Sequence, residues 1–363
     1  MVKLNEKKIN LSLSENAQNI PNNVLQVMKD ECYNANRYPV DVHNELVKRL
    51  AQYHSCSLEN IILGNGVDEM ILIACLTLSE NKKKIIVSEH TFNGYVEAAK
   101  ICRLEICESK VVNNRICIDD MISKIDLYTT CIFLCNPLNP YGTVLQKNEC
   151  IKIIEWAKQQ GTYVIIDEAY ADFVSDSSYC SALELLDCYK NVIIYKSFSK
   201  SYGLAGLRCG YAVANKEVIT IMKKVHGPLP YRVNRIACKA AIACLENQNE
   251  YNKSIKQVNE IKKTFYRALE KAKIEFIESE TNFVLIKLKN DENVDYICEE
   301  LCNKHSIIVK NGKNFGLIDY IRVGIGTNDD MERFVRAMID IRKKVESEYI
   351  SNIGWQNEES IVF

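Results

Sequence analysis

The sequence contains no Cys-x-x-Cys pair, no His-x-x-x-His pair, no basic block and no apolar run near membrane length. Each absence removes a class of protein. The 16 cysteines are scattered, and several sit inside apolar runs (Cys75, Cys131, Cys135, Cys244). They read as buried reduced thiols rather than a disulfide framework or metal site. Five dispersed histidines give no zinc signature, and no metal is expected. A membrane helix needs about 20 consecutive apolar residues, and no stretch approaches that length. The N-terminus, MVKLNEKKIN, lacks the apolar segment of a secretory signal, so a cytoplasmic protein is expected. A formal net charge of -1 gives no reason to expect nucleic acid or another polyanion as partner.

What is present suits a soluble globular chain: 363 residues, 47% hydrophobic and 26% charged, enough for a large domain and a smaller one. From about residue 58 to 215, short β-rich runs alternate with helical patterns. The strand candidates are Ile61–Leu63, Lys84–Ser88, Cys131–Cys135, Tyr163–Asp167, Asn191–Tyr195 and Cys209–Ala214. Several are apolar almost throughout (CIFLC, YVIID, NVIIY), as strands covered by helices on both faces must be. Helical stretches such as 68–78, 95–102 and 147–160 lie between them. The alternation predicts an α/β domain with a mainly parallel sheet. After His226 the pattern changes to a long helical region, 234–273. Strands are expected beyond it at 282–288, 307–310 and 320–324. The expected partition is a large domain over 39–233, a smaller α+β domain from 1–38 and 234–346, and a loose tail over 347–363.

Four constellations fall at the ends of these strands, where open α/β sheets build their sites. Ser197-Phe198-Ser199-Lys200 follows the run NVIIY, and Arg208 stands eight residues beyond the lysine. A lysine there can form an imine with an aldehyde if its amine is free, and two serines with an arginine suit a phosphate. A lone lysine after a strand is more often a solvated surface residue; the Ser-x-Ser-Lys…Arg arrangement alters that balance. Asp167-Glu168-Ala169-Tyr170 ends YVIID. Its carboxylate could keep a pyridinium nitrogen protonated, start a helix, or join a divalent-metal site. Asn136-Pro137-Leu138-Asn139-Pro140-Tyr141-Gly142 makes an irregular turn, either purely structural or one that points the Asn139 amide inward. Gly64-Asn65-Gly66-Val67-Asp68-Glu69 joins a strand to a helix whose free amides would attract a phosphate. It is no dinucleotide fingerprint, because Glu69 stands where the third glycine belongs.

Taken in order, these motifs resemble fold-type I pyridoxal-phosphate (PLP) enzymes, the aspartate-aminotransferase type of fold, and most closely the histidinol-phosphate aminotransferase family. The resemblance runs from about Leu11 to Arg342. It also takes in Arg37-Tyr38-Pro39, Thr91-Phe92, Leu204–Arg208 and Arg322-Val323-Gly324. It implies pyridoxal 5'-phosphate as cofactor, with Lys200 as the Schiff-base lysine and proton carrier and Asp167 on the pyridinium nitrogen. Tyr170 and Asn139 are implied at the phenolic oxygen and Phe92 on the ring face. Ser197, Ser199, Arg208 and the amides around Gly66, Val67 and Asp68 are implied at the phosphate. Tyr38 is implied to reach that phosphate from a second subunit of a homodimer, and Arg322 to grip the substrate carboxylate.

The chain departs from the family's pattern at His90-Thr91, in place of Pro-Thr, at Tyr141 within Asn-Pro-Thr-Gly, and at Lys310, where arginine is common. Lys310 is a candidate contact for a substrate phosphate. The stretch Asn314-Phe315-Gly316-Leu317…Tyr320-Ile321-Arg322-Val323 is similar instead to threonine-phosphate decarboxylases. The expected reaction is amino transfer between glutamate, or another amino acid, and a small phosphorylated carbonyl compound. Decarboxylation of O-phospho-threonine or O-phospho-serine is the alternative. A PLP-binding regulator is a remote third reading, because no helix-turn-helix segment accompanies the fold.

Overall fold

In the computed structural model, which describes residues 8–289 and 292–358, the apolar runs assemble into one seven-stranded sheet. Its strands are β1 (Ile61–Gly64), β2 (Lys84–Ser88), β3 (Glu105–Ser109), β4 (Thr129–Cys135), β5 (Tyr163–Asp167), β6 (Val192–Ser197) and β7 (Gly210–Ala214). The spatial order is β1-β7-β6-β5-β4-β2-β3, and every pairing is parallel except those of β7, which runs antiparallel to β1 and β6. All seven residues of β4 are buried, which is why that run reads apolar without alternation.

Successive residues of a strand face opposite sides, and the core divides accordingly. Ile62, Ala212 and Ala214 pack with helices 67–77, 93–101 and 147–159, whereas Ile61, Leu63, Tyr211 and Val213 pack with helices 22–31, 40–53 and 235–246. Helices 22–31 and 235–246 therefore lie against the large sheet, although the expected partition groups them with the small domain. Their apolar faces (Val24, Ala237, Ala241) have their partners there.

Sequence reading missed β3, the sheet edge. Its residues Glu105–Ser109 alternate and stay mostly part-exposed, so no continuous apolar run marks them.

A second sheet contains β8 (Phe276–Ile277), β9 (Phe283–Lys287), β10 (Lys310–Asn311) and β11 (Tyr320–Gly324), antiparallel in the order β8-β9-β11-β10. Helices 248–271, 294–304 and 328–358 accompany it, and Phe265, Leu301 and Phe334 lie in its core. Three expectations need correction here. The helical region 234–273 breaks at Asn247, whose side-chain amide donates to the Ala243 carbonyl at 2.6 Å and ends the first helix. The strand expected at 307–310 divides: Ile307–Ile308 pairs in parallel with Ile9–Asn10, and only Lys310–Asn311 joins β11. The last helix runs on to Glu358, into the stretch expected to be a loose tail, whose residues 359–363 lie outside the described residues.

One buried ion pair ties the ends of β5 and β6 together. Glu168, with a fully buried side chain, meets Lys196 at 2.7 Å. Its other acceptor positions take the Ser181 hydroxyl at 2.7 Å and the Ala182 amide at 2.6 Å. Removing one member of such a pair strands the other charge. Lys196→Met is expected to cost about 3–5 kcal/mol, read as a lowered denaturation midpoint. The double variant Lys196→Met/Glu168→Gln should recover much of that loss.

Candidate active site

The carboxyl ends of β4, β5 and β6 open onto a cavity of about 550 Å³. Its wall is completed by the turn before helix 67–77, by β10 and β11, and by the N-terminal segment Ser12–Glu15. Val67, Asp68, Phe92, Asn139, Asp167, Tyr170, Ser197, Ser199, Lys200, Arg208, Lys310 and Arg322 all line it. Residues from six separate stretches of sequence thus meet in one place. Gly66 lies just behind, beside the Arg208 guanidinium, with φ of 83°, a backbone conformation that calls for glycine. Tyr38 is elsewhere: it is 80% exposed, with its ring 6.1 Å from that of Tyr231.

At one end of the cavity, Arg208 takes a left-handed backbone conformation (φ 54°, ψ 56°) and binds Asp68 at 2.6 Å. The N-terminus of helix 67–77, capped by Gly66 without a side-chain bond, points its free amides to the same place. Ser197 Oγ accepts from the Ser199 amide at 3.1 Å, which folds the loop so that both serines line the cavity beside Arg208. This end is built for an anion.

In the middle, Lys200 Nζ donates to the carbonyls of Leu13 (2.9 Å) and Ser14 (3.3 Å) and lies 5.3 Å from the Tyr170 ring centre. Its contacts in the protein are carbonyl oxygens and an aromatic face.

Asp167 is the unusual group. Its carboxylate accepts from Tyr95 Oη (2.7 Å) and the Ala169 amide (3.0 Å), but burial still pushes its pKa up to about 6. Unfolded, the group ionises near 3.8. The folded state therefore holds the extra proton between those values, and the group subtracts stability as pH rises through that window. A cation or N–H donor in the cavity facing Asp167 would remove this penalty.

At the far end, Arg322 is 5% exposed. Its guanidinium lies between Phe283 (4.8 Å) and Phe315 (5.2 Å) and donates to Asn139 Oδ1 (2.6 Å) and the Ser12 carbonyl (2.9 Å). Its Nε is buried without an acceptor among the described residues. Lys310 stands opposite Arg322 across the β10–β11 pairing. Asn139 thus spends its carbonyl oxygen on Arg322, leaving its NH₂ to donate.

Three contributors escaped sequence reading. Tyr95 lies one helical turn beyond Phe92, stacks on Phe133 (4.8 Å, 13°) and bonds Asp167; in the sequence it is one apolar position of an amphipathic helix. Cys135 lines the floor, with its thiol pushed up to about 12 by burial. Ser12–Glu15 reach the cavity because Leu11 bonds Ile308 and Gly324, a pairing that has no periodic signature.

With this geometry in hand, comparison with known proteins is informative. The family model for aminotransferase class I and II matches residues 6–338. The chain belongs to that family. A histidinol-phosphate aminotransferase from Caldicellulosiruptor saccharolyticus is 32% identical over 93% of this chain and 92% of its own length. The crystal structure of the histidinol-phosphate aminotransferase from Clostridium acetobutylicum superposes with a TM-score of 0.84 at 28% identity, covering 93% of this chain and 99% of that one. The Sinorhizobium meliloti histidinol-phosphate aminotransferase, solved with pyridoxal-5'-phosphate, shares the fold with a TM-score of 0.83 at 19% identity, covering 94% and 92% of the two chains.

Tyr95→Phe removes the hydroxyl that Asp167 accepts from. The expected cost is about 1.5–3 kcal/mol at pH 8, and clearly less at pH 5, where the carboxyl already holds its proton. Thermal unfolding at the two pH values checks this.

Proposed function

We propose that this enzyme uses pyridoxal 5'-phosphate to move an amino group between glutamate, or another amino acid, and a small phosphorylated carbonyl compound, as a histidinol-phosphate aminotransferase does. One observation carries the reading: a single cavity holds a lysine amine between an anion-binding end and a buried carboxylate that lacks a cation. The donor set fits the cofactor. A pyridinium N–H would answer the Asp167 penalty. Arg208, Ser197, Ser199 and the amides at Gly66–Asp68 would take the phosphate, and Gly66 leaves room for close approach. Phe92 offers its ring as a stacking face, while Tyr170 and the Asn139 NH₂ would meet the phenolic oxygen.

When bound, the cofactor supplies an aldehyde carbon and an electron-withdrawing ring that stabilises negative charge on the substrate's α-carbon. The protein's own groups do the rest. Lys200 Nζ would hold the cofactor and, as a free amine, would carry the proton at the substrate α-carbon. Arg322 receives the α-carboxylate through the face its Nε leaves unpaired, in a two-point grip. How that grip orients the carboxylate would decide between loss of the proton and loss of carbon dioxide. Lys310, beside Arg322, adds the second positive charge that a phosphorylated substrate requires.

We further propose a homodimer in which Tyr38 enters the second copy's site. Support lies in its exposure and in Arg235, which holds the Tyr38 carbonyl at 3.0 Å while pairing with Asp41 and Glu31. The decarboxylase reading has less behind it, because the curated relatives at 28–32% identity are aminotransferases.

Adding L-glutamate alone to the PLP-loaded protein should convert the cofactor's absorbance to that of the amine form, with one 2-oxoglutarate released per site. Release of carbon dioxide from O-phospho-threonine, with no response to any amino donor, would instead establish the decarboxylase. Arg208→Ala should weaken PLP binding roughly 10- to 100-fold, the worth of a charged hydrogen-bond partner, in a fluorescence titration.

A further inference from the structure

Loop 90–92, from the end of β2, and turn 312–317, between β10 and β11, meet beside the cavity. A directed hydrogen bond joins them. His90 Nδ1 lies 2.7 Å from the Phe315 carbonyl oxygen. A carbonyl can only accept, so Nδ1 carries the proton here. His90 holds this position from a left-handed backbone conformation (φ 52°), uncommon for a residue with a side chain. Gly316 turns the chain with φ of 76°, and a Cβ there would sit 3.0 Å from His90 Nδ1. The turn therefore approaches the imidazole as closely as a glycine allows. On its other side the imidazole meets the buried Tyr141 ring edge-on at 6.4 Å.

What the bond holds is functional. Phe315 and its neighbour Asn314 line the cavity, as does Lys310 at the start of the same connection. The Phe315 ring forms one half of the aromatic sandwich around the Arg322 guanidinium. The other half, Phe283, belongs to a regular strand with full sheet pairing. Phe315 lies in a short helical turn, outside the ladder. It needs an anchor from elsewhere.

We propose that His90 is a positioning residue: by clasping the Phe315 carbonyl it fixes the Arg322 end of the cavity, and so sets affinity for the substrate's carboxylate without taking part in the chemistry. The inference rests on reading this cavity as an amino-acid site.

The test compares wild type, His90→Ala and His90→Asn as PLP-loaded full-length proteins. Asparagine tolerates the left-handed conformation and can place an amide N–H where Nδ1 stands. His90→Ala is expected to raise the KM for L-glutamate about five- to tenfold, the worth of one hydrogen bond to a buried acceptor. Its kcat should change less than about twofold and its PLP affinity should stay the same. Amide hydrogen exchange at Gly316 and Leu317 should quicken, because their bonds to Lys313 and Gly312 close the same turn. His90→Asn should restore both readouts. The proposal is overturned if alanine leaves KM and exchange unchanged, or if kcat falls in step with kcat/KM. It also fails if asparagine does no better than alanine, which would assign the effect to packing against Tyr141. Should wild type not respond to L-glutamate at all, the functional reading fails, and the exchange comparison alone decides whether the clasp exists.

Discussion

Two neighbouring carboxylates at the end of β5 have opposite fates, and the organisation of the site follows from the difference. Glu168 is buried with a full complement of partners: Lys196 from β6, the Ser181 hydroxyl and the Ala182 amide. It serves as a staple between the two central strands whose ends carry Tyr170 on one side and Ser197 to Lys200 on the other. Asp167, one residue earlier, points to the opposite face and, among the described residues, accepts only from a tyrosine hydroxyl and one amide. Burying a carboxylate without a cation is costly, and the protein accepts that cost at one position only a residue away from where it avoids it. The satisfied pair makes the strand ends rigid. The unsatisfied carboxylate is then held at a fixed point facing the cavity, where something else must meet it.

The remaining groups are arranged around that fixed point by charge. Arg208 and the helix N-terminus lie at one end, Arg322 and Lys310 at the other, and the Lys200 amine sits between them on backbone carbonyls. The two ends differ in construction. At the Arg208 end the cation is part-exposed and shared with Asp68, so an incoming anion competes with a carboxylate and exchange remains possible. At the Arg322 end the guanidinium is buried between two rings and oriented by Asn139 and a backbone carbonyl, with its Nε–H lacking an acceptor among the described residues. That end is preorganised for a planar anion such as a carboxylate.

Much of this was legible in the residues, for identifiable reasons. Strands buried on both faces are largely apolar, so six of the seven central strands stood out as short, mostly apolar runs, and chemistry placed at their ends could be read by position. Edge strand β3 could not be, because a half-exposed strand carries no such run. The N-terminal segment Ser12–Glu15 was also illegible: it reaches the cavity through backbone pairing of Leu11 with residues about 300 positions away, and backbone bonds leave no trace in side-chain pattern. Tyr95 was hidden differently. Its place on the apolar face of helix 93–101 accounts for it fully until the hydroxyl is seen to end on Asp167.

The same reasoning explains why substrate choice is harder to read than cofactor chemistry. The groups around Asp167 and Lys200 come from strand ends of one sheet, whose geometry is fixed by continuous hydrogen-bonded ladders. The groups around Arg322 come from a second sheet, a turn outside any ladder and a segment laid across both. Their relative placement depends on a few directed contacts, of which the His90–Phe315 bond and the Arg322–Asn139 bond cross between the two sheets' surroundings. Small changes in such contacts would move the Arg322 guanidinium without disturbing the strand ends. Specificity can therefore diverge at this seam while the lysine, the buried aspartate and the anion-binding end stay as the sheet sets them.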